Sequence, residues 1–196
     1  MSKCFKFLNV KNHQILSNEI YDYLNKRTNL LSTPQLCFID LDVKDVIKNV
    51  RSVRKFLATH KLVAKRLIII MVPPGKTQDL HFDKHFDRLE PYVRILWPIR
   101  NCQGSTTKFF NSDPAKANLY YLKNKIPYYG TGDRLTSRMI DQFELTQPLV
   151  FDSGVAHSVH TASDATKYRI SFSIGFDEDL EISQSVDSWS NFYSEI

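Results

Sequence analysis

The chain has 196 residues, 42% of them apolar and 12% aromatic, which is enough to bury a sizeable core as one domain. Lysines and arginines number 26 against 21 acidic residues; the formal charge of +5 is a mild excess dispersed along the chain and argues against a dedicated nucleic-acid surface. Cys4, Cys37 and Cys102 are odd in number, widely spaced and form no C-x-x-C pair, so neither a disulfide framework nor a structural zinc site is suggested.

The expected setting is therefore reducing and cytoplasmic. The first residues, Met1-Ser2-Lys3-Cys4-Phe5-Lys6, lack the apolar stretch of a signal peptide, and the longest apolar run, residues 67–72, is far too short to span a bilayer. No membrane association is expected. Residues 1–16 open with a short strand, and Ser17 is placed as the N-cap of a helix ending near Thr28 and Asn29. A second helix is predicted from Asp42 to about His60, because Val43, Val46, Ile47, Val50, Val53 and Leu57 recur at three- and four-residue steps. Its other face carries Lys44, Lys48, Arg51, Arg54 and Lys55, read as a solvated surface, with phosphate binding as the rival reading.

Residues 66–72 form a continuous, largely β-branched run, the pattern of a strand covered on both sides, and Pro73-Pro74-Gly75 ends it. Strands at 93–99 and 106–110 are separated by Asn101-Cys102-Gln103-Gly104 and read as a hairpin. The stretch 111–140, punctuated by Pro114, Pro127, Gly130 and Gly132, reads as a long loop, with Tyr128 and Tyr129 as candidate lid residues. Short strands follow at 149–152 and 168–176. Helices precede strands, so the class is α+β with a double-sheet core, and a cupin-type jelly roll with the helices on its outer face is the natural candidate. A single domain 1–196 is expected, with a helical N-terminal region over 1–65, a β core over 66–176 and a polar tail over 177–196.

In an extended segment His81 and Asp83 of His81-Phe82-Asp83 point to the same side and can share a metal. His157, after the Gly154 turn, supplies a third ligand; His160 competes for that place, and His157 is preferred as nearer the turn. Two histidines and one carboxylate leave about three coordination positions open, the arrangement of non-heme Fe(II) oxygenases. The i,i+4 pair His81 and His85 does not make a zincin helix, since Phe82 stands where that motif needs a glutamate.

The segment 168–176 alternates cleanly: Tyr168, Ile170, Phe172, Ile174 and Phe176 on one face, Arg169, Ser171, Ser173 and Gly175 on the other. With the apolar face under helices, Arg169 points into the cavity, where a lone guanidinium is costly to bury. A dicarboxylate chelating the metal would balance it. Fe²⁺ with one aspartate leaves +1, Arg169 adds +1, and a dianion closes the count. A planar guanidinium binds a carboxylate through two hydrogen bonds, and Ser171 can add a third. Arg94 and Trp97 lie on opposite faces of their strand, so at most one lines the cavity; a cavity-facing Arg94 could hold a substrate carboxylate. Thr107 and Phe109 share a face of the next strand.

With H-x-D, a distal histidine and a following R-x-S in this order, the chain resembles the Fe(II)/2-oxoglutarate-dependent dioxygenases over roughly residues 66–176. Weaker likenesses are to their aspartyl/asparaginyl β-hydroxylase branch and to small phage-encoded oxygenases. The resemblance implies a double-stranded β-helix, His81, Asp83 and His157 as iron ligands, and Arg169 with Ser171 as the clamp on the far carboxylate of 2-oxoglutarate. It also implies O₂-dependent hydroxylation of a peptide side chain, amino acid or small metabolite, with release of succinate and CO₂. Two alternatives stand beside it: a cupin-like protein that keeps the same residues and binds metal and a small acid without turnover, and a nucleic-acid-binding module using the basic helix face of residues 44–55.

Overall fold

The computed structural model describes residues 4–27, 37–83, 93–121, 127–131, 136–162, 164–176 and 193–195. Helix α1 (His13–Arg27) buries Leu16, Ile20 and Leu24, one residue per turn along a single stripe, and ends on Lys26 and Arg27, which complement the negative end of its dipole. It starts one turn before the expected Ser17 cap. Ser17 lies inside the helix with its hydroxyl donating to the Pro98 carbonyl at 2.6 Å, so burial against a strand satisfies the group that would otherwise have favoured a cap.

The helix expected over 42–60 is two. Asp42 caps α2 (Val43–Asn49) by accepting from the Asp45 amide at 2.8 Å, while Val50 is extended at φ −113°, ψ 99° and separates it from α3 (Arg51–Thr59). The break is stabilised from outside the segment: Glu19 of α1 accepts from the Ser52 amide at 2.8 Å and serves as the cap that α3 lacks locally.

Short strands β1 (Phe5–Phe7) and β2 (Asn9–Lys11) precede α1, and β3 (Cys37–Leu41) lies between α1 and α2. After the helices come β4 (Ala64–Val72), β5 (Thr77–Phe82), β6 (Val93–Arg100) and β7 (Thr106–Asn111). They are followed by β8 (Ala117–Tyr121), β9 (Pro127–Thr131), β10 (Arg138–Glu144), β11 (Leu149–Asp152), β12 (Ala156–His160) and β13 (Arg169–Phe176). Six antiparallel strands form one sheet in the order β1-β11-β6-β13-β4-β3, and six form the other in the order β10-β7-β12-β5-β9-β8. The pairs β4–β5, β6–β7, β10–β11 and β12–β13 each change sheets, which is the winding of a jelly roll. A last strand, β14 (Tyr193–Glu195), pairs in parallel with β2.

Two apolar clusters divide the first sheet's faces. Leu67, Ile69 and Met71 of β4, Trp97 of β6 and Ile170, Phe172, Ile174 and Phe176 of β13 join helix residues such as Leu16, Ile20, Val53 and Phe56 in one core. The opposite face joins Leu96, Leu149 and Phe151 to Phe109 and Phe143 of the second sheet. Arg169, Ser171 and Ser173 of β13 belong to that inter-sheet side, since side chains alternate along the strand. The stretch 111–140 is not one loop: β8 and β9 form a hairpin that extends the second sheet beyond β5, and Gly130 pairs directly with His81.

Candidate metal and acid site

Each candidate ligand sits where the fold holds it rigidly. His81 and His157 face each other across the β5–β12 pairing, as register partners, with ring centroids 4.3 Å apart. Each imidazole is anchored the same way: Nδ1 of His81 lies 2.7 Å from the Asp79 carbonyl, and Nδ1 of His157 lies 2.8 Å from the Val155 carbonyl. A carbonyl can only accept, so both Nδ1 atoms carry the proton and both Nε2 atoms present a lone pair to the cavity. Asp83 follows β5, its amide held by the Ser153 carbonyl at 3.0 Å, and its Oδ1 lies 3.5 Å from His81 Nε2.

One donor atom from each of His81, Asp83 and His157 lies within 4.8 Å of the others. Two ligands at right angles, each about 2.1 Å from a metal, are about 3 Å apart, so the set closes on an ion by small side-chain rotations. Protonation also suits a cation. Burial raises the carboxyl of Asp83, but the neighbouring His81 and the charge of Arg94 outweigh it and hold the group below the ordinary carboxylate range. His157 is pushed down to about 4, mainly by burial and next by His81, so at neutral pH it is an uncharged ligand.

Arg169 lines the same cavity, with Gln78, Thr107, Val159, Phe151 and the three candidate ligands around it; its water-accessible volume is about 20 Å³. The guanidinium is 1% exposed, and its Nε and Nη2 have no hydrogen-bond partner among the described residues. Burial pushes its pKa down from the usual value. The hydroxyls of Ser171, two residues along the same face, and of Thr107 are also buried without partners there. Orphaned donors on Arg169 and Thr107, which line one cavity, and on Ser171 on the same strand face as Arg169 are what a buried anion would satisfy.

Arg94 faces this interior too, with Nε 3.8 Å from Asp83 Oδ2 and Nη1 3.5 Å from Ser173 Oγ, while Trp97 turns the other way and packs edge-on against Phe56. His157, not His160, stands with His81 and Asp83. His160 points outward, its ring nitrogens 2.9 Å from Ser158 Oγ and 3.3 Å from Thr77 Oγ1. Tyr129 packs on the outer side of β5 with Leu80 and Phe82, away from the cavity. His85 and the side chain of Tyr128 lie outside the described residues. Gln78 is the lining residue that strict alternation misses. The register shift between His157 and Val159 marks a bulge in β5 that turns Gln78 to the His81 side.

Solved structures with little sequence likeness to this chain share its architecture. The crystal structure of SnoK, described as a non-heme alpha ketoglutarate dependent carbocyclase from nogalamycin biosynthesis, superposes with a TM-score of 0.56 over 90% of this chain and 84% of its own, at 8% identity. The chain shares the fold of SnoK. EvdO2 from Micromonospora carbonacea var. aurantiaca shares the fold of this chain with a TM-score of 0.52, covering 93% of this chain and 89% of its own at 14% identity. AviO1 from Streptomyces viridochromogenes Tue57 matches it with a TM-score of 0.51, covering 91% of each chain at 10% identity. No protein-family model matches the sequence, and no curated protein sequence does. Among the described residues, no helix is long and apolar enough to cross a membrane.

Proposed function

We propose that the protein is an Fe(II)- and 2-oxoglutarate-dependent oxygenase that hydroxylates a C–H bond of a peptide side chain, amino acid or small metabolite. The observation that carries this is the convergence of His81, Asp83 and His157 beside a buried Arg169 whose Nε and Nη2 have no hydrogen-bond partner among the described residues. The fold shared with a protein described as alpha ketoglutarate dependent supports it. The expected setting is cytoplasmic and reducing, in which the buried thiols of Cys4 and Cys102 stay reduced.

In this reading His81, Asp83 and His157 hold iron from one side and leave about three positions open. Arg169 and Ser171 receive the far carboxylate of 2-oxoglutarate. Iron with this acid supplies O₂-dependent oxidation coupled to loss of CO₂ and formation of succinate. The chain's own contribution is geometric and electrostatic. The carbonyls of Asp79 and Val155 hold both imidazoles in the tautomer that presents Nε2. Arg94 stands beside the Asp83 oxygen that does not face His81, favouring a carboxylate that binds through one oxygen. Phe109 and Phe151, whose rings lie 6.1 and 5.7 Å from His157, exclude water from the inter-sheet side.

The test is succinate production measured with purified protein, Fe(II), 2-oxoglutarate, O₂ and a panel of peptide and amino-acid substrates. Formation that requires Fe(II), 2-oxoglutarate and O₂ supports the oxygenase. Tight binding of metal and acid with no succinate against the panel would favour a non-catalytic binding protein.

A further inference from the structure

Gln78 has no place in the ligand set or the acid clamp, yet it is 3% exposed and its amide nitrogen lies 2.8 Å from His81 Nε2. By alternation Gln78 would share a face with Leu80 and Phe82; the β5 bulge puts it on the face of His81 instead. Because the Asp79 carbonyl at 2.7 Å fixes the proton on Nδ1, His81 Nε2 is the acceptor and the Gln78 amide the donor. The lone pair that takes this hydrogen bond is the one a metal needs. It can serve the amide or the metal, not both.

We propose that Gln78 is a guard on the metal ligand. Its amide holds His81 Nε2 when no metal is bound, and metal entry requires the side chain to swing off, so that loading the site and moving Gln78 are one event. This rests on the iron-site reading above. The bulge is the structural feature that makes the guard, because an unbulged strand would point Gln78 away from the cavity. A hydrogen bond made only without metal competes with the metal, so removing the donor tightens binding by about fivefold. A role in packing alone predicts no such gain.

The test titrates Co(II), without 2-oxoglutarate, into wild type, Gln78→Met, Gln78→Ala and His81→Ala, following the visible d–d absorption. Methionine keeps the length of the side chain without the amide donor, and the alanine variant keeps the test open should the methionine variant not fold. The guard predicts tighter Co(II) binding in both Gln78 variants and a lower melting temperature of the metal-stripped variants relative to stripped wild type. Unchanged or weaker Co(II) affinity in a folded Gln78 variant, with wild type binding and His81→Ala not binding, overturns the guard and leaves the metal site standing. Failure of wild type itself to bind Co(II) overturns the iron-site reading and the guard together.

Discussion

Arg169 offers the most discriminating perturbation, because its side chain is costly in one condition and indispensable in the other. It is 1% exposed, and two of its three guanidinium nitrogens have no hydrogen-bond partner among the described residues. Each buried donor left unmade costs about 1–3 kcal/mol, and methionine fills a similar volume without donors or charge. Arg169→Met is therefore expected to leave the protein at least as stable as wild type without acid, and more stable by roughly 1–3 kcal/mol if the backbone does not shift. Adding 2-oxoglutarate at about 100 times its dissociation constant, with Mn(II) in place of iron, should stabilise wild type by about 2.7 kcal/mol. For a chain of this size that is roughly 5–10 °C in melting temperature. The variant should show none of this shift while keeping its metal affinity. Differential scanning fluorimetry with and without the acid measures both quantities. A variant that still shifts with acid, or one destabilised by several kcal/mol without it, would refute the reasoning, the second because it would mean that Arg169 is well paired inside the protein.

His81→Ala and Asp83→Ala should each abolish stoichiometric iron binding while the circular dichroism spectrum is retained; unchanged iron content in either would remove that residue from the site. His157 gives a pH signature. Its folded-state value of about 4 lies below the ordinary histidine value of 6.5, so between these pH values the unfolded chain binds more protons than the folded one. Stability without metal should therefore fall as pH drops from about 6.5 to 4, by up to about 3 kcal/mol from this group alone. His157→Gln should lose that slope in urea titrations across the range, and an unaltered slope would show that another group carries it.

The features of the site legible in the sequence are those written with a period of two. His81 and Asp83 share a side, and the alternation from Tyr168 to Phe176 sends Arg169 and Ser171 inward. Both follow from strand geometry alone, which is why an arginine in need of an anion could be anticipated from residue types and spacing. Gln78 could not be, because a bulge changes the face of a residue without changing any residue type. The split at Val50 was hidden for a related reason: the apolar spacing continues across it, and the group that caps α3 is Glu19, more than thirty residues earlier. Likewise Ser17 looks like a cap in isolation and is a buried helix residue only because the Pro98 carbonyl waits above it. The β8–β9 hairpin reads as loop because Pro127 and Gly130 mark turns, whereas its extended pairing depends on the open edge of β5. Local spacing sets what a segment can form; partners far along the chain decide where it stops and which way it faces.

The central claim is that one cavity holds iron on His81, Asp83 and His157 and a 2-oxoglutarate dianion against Arg169. Anaerobic addition of Fe(II) and then 2-oxoglutarate tests both halves at once, through the weak visible charge-transfer absorption of the chelate. The account predicts a band that saturates at one iron and one acid per chain in wild type, is lost in Asp83→Ala, and in Arg169→Met needs far more acid to appear. No band from wild type at saturating iron and acid would contradict it.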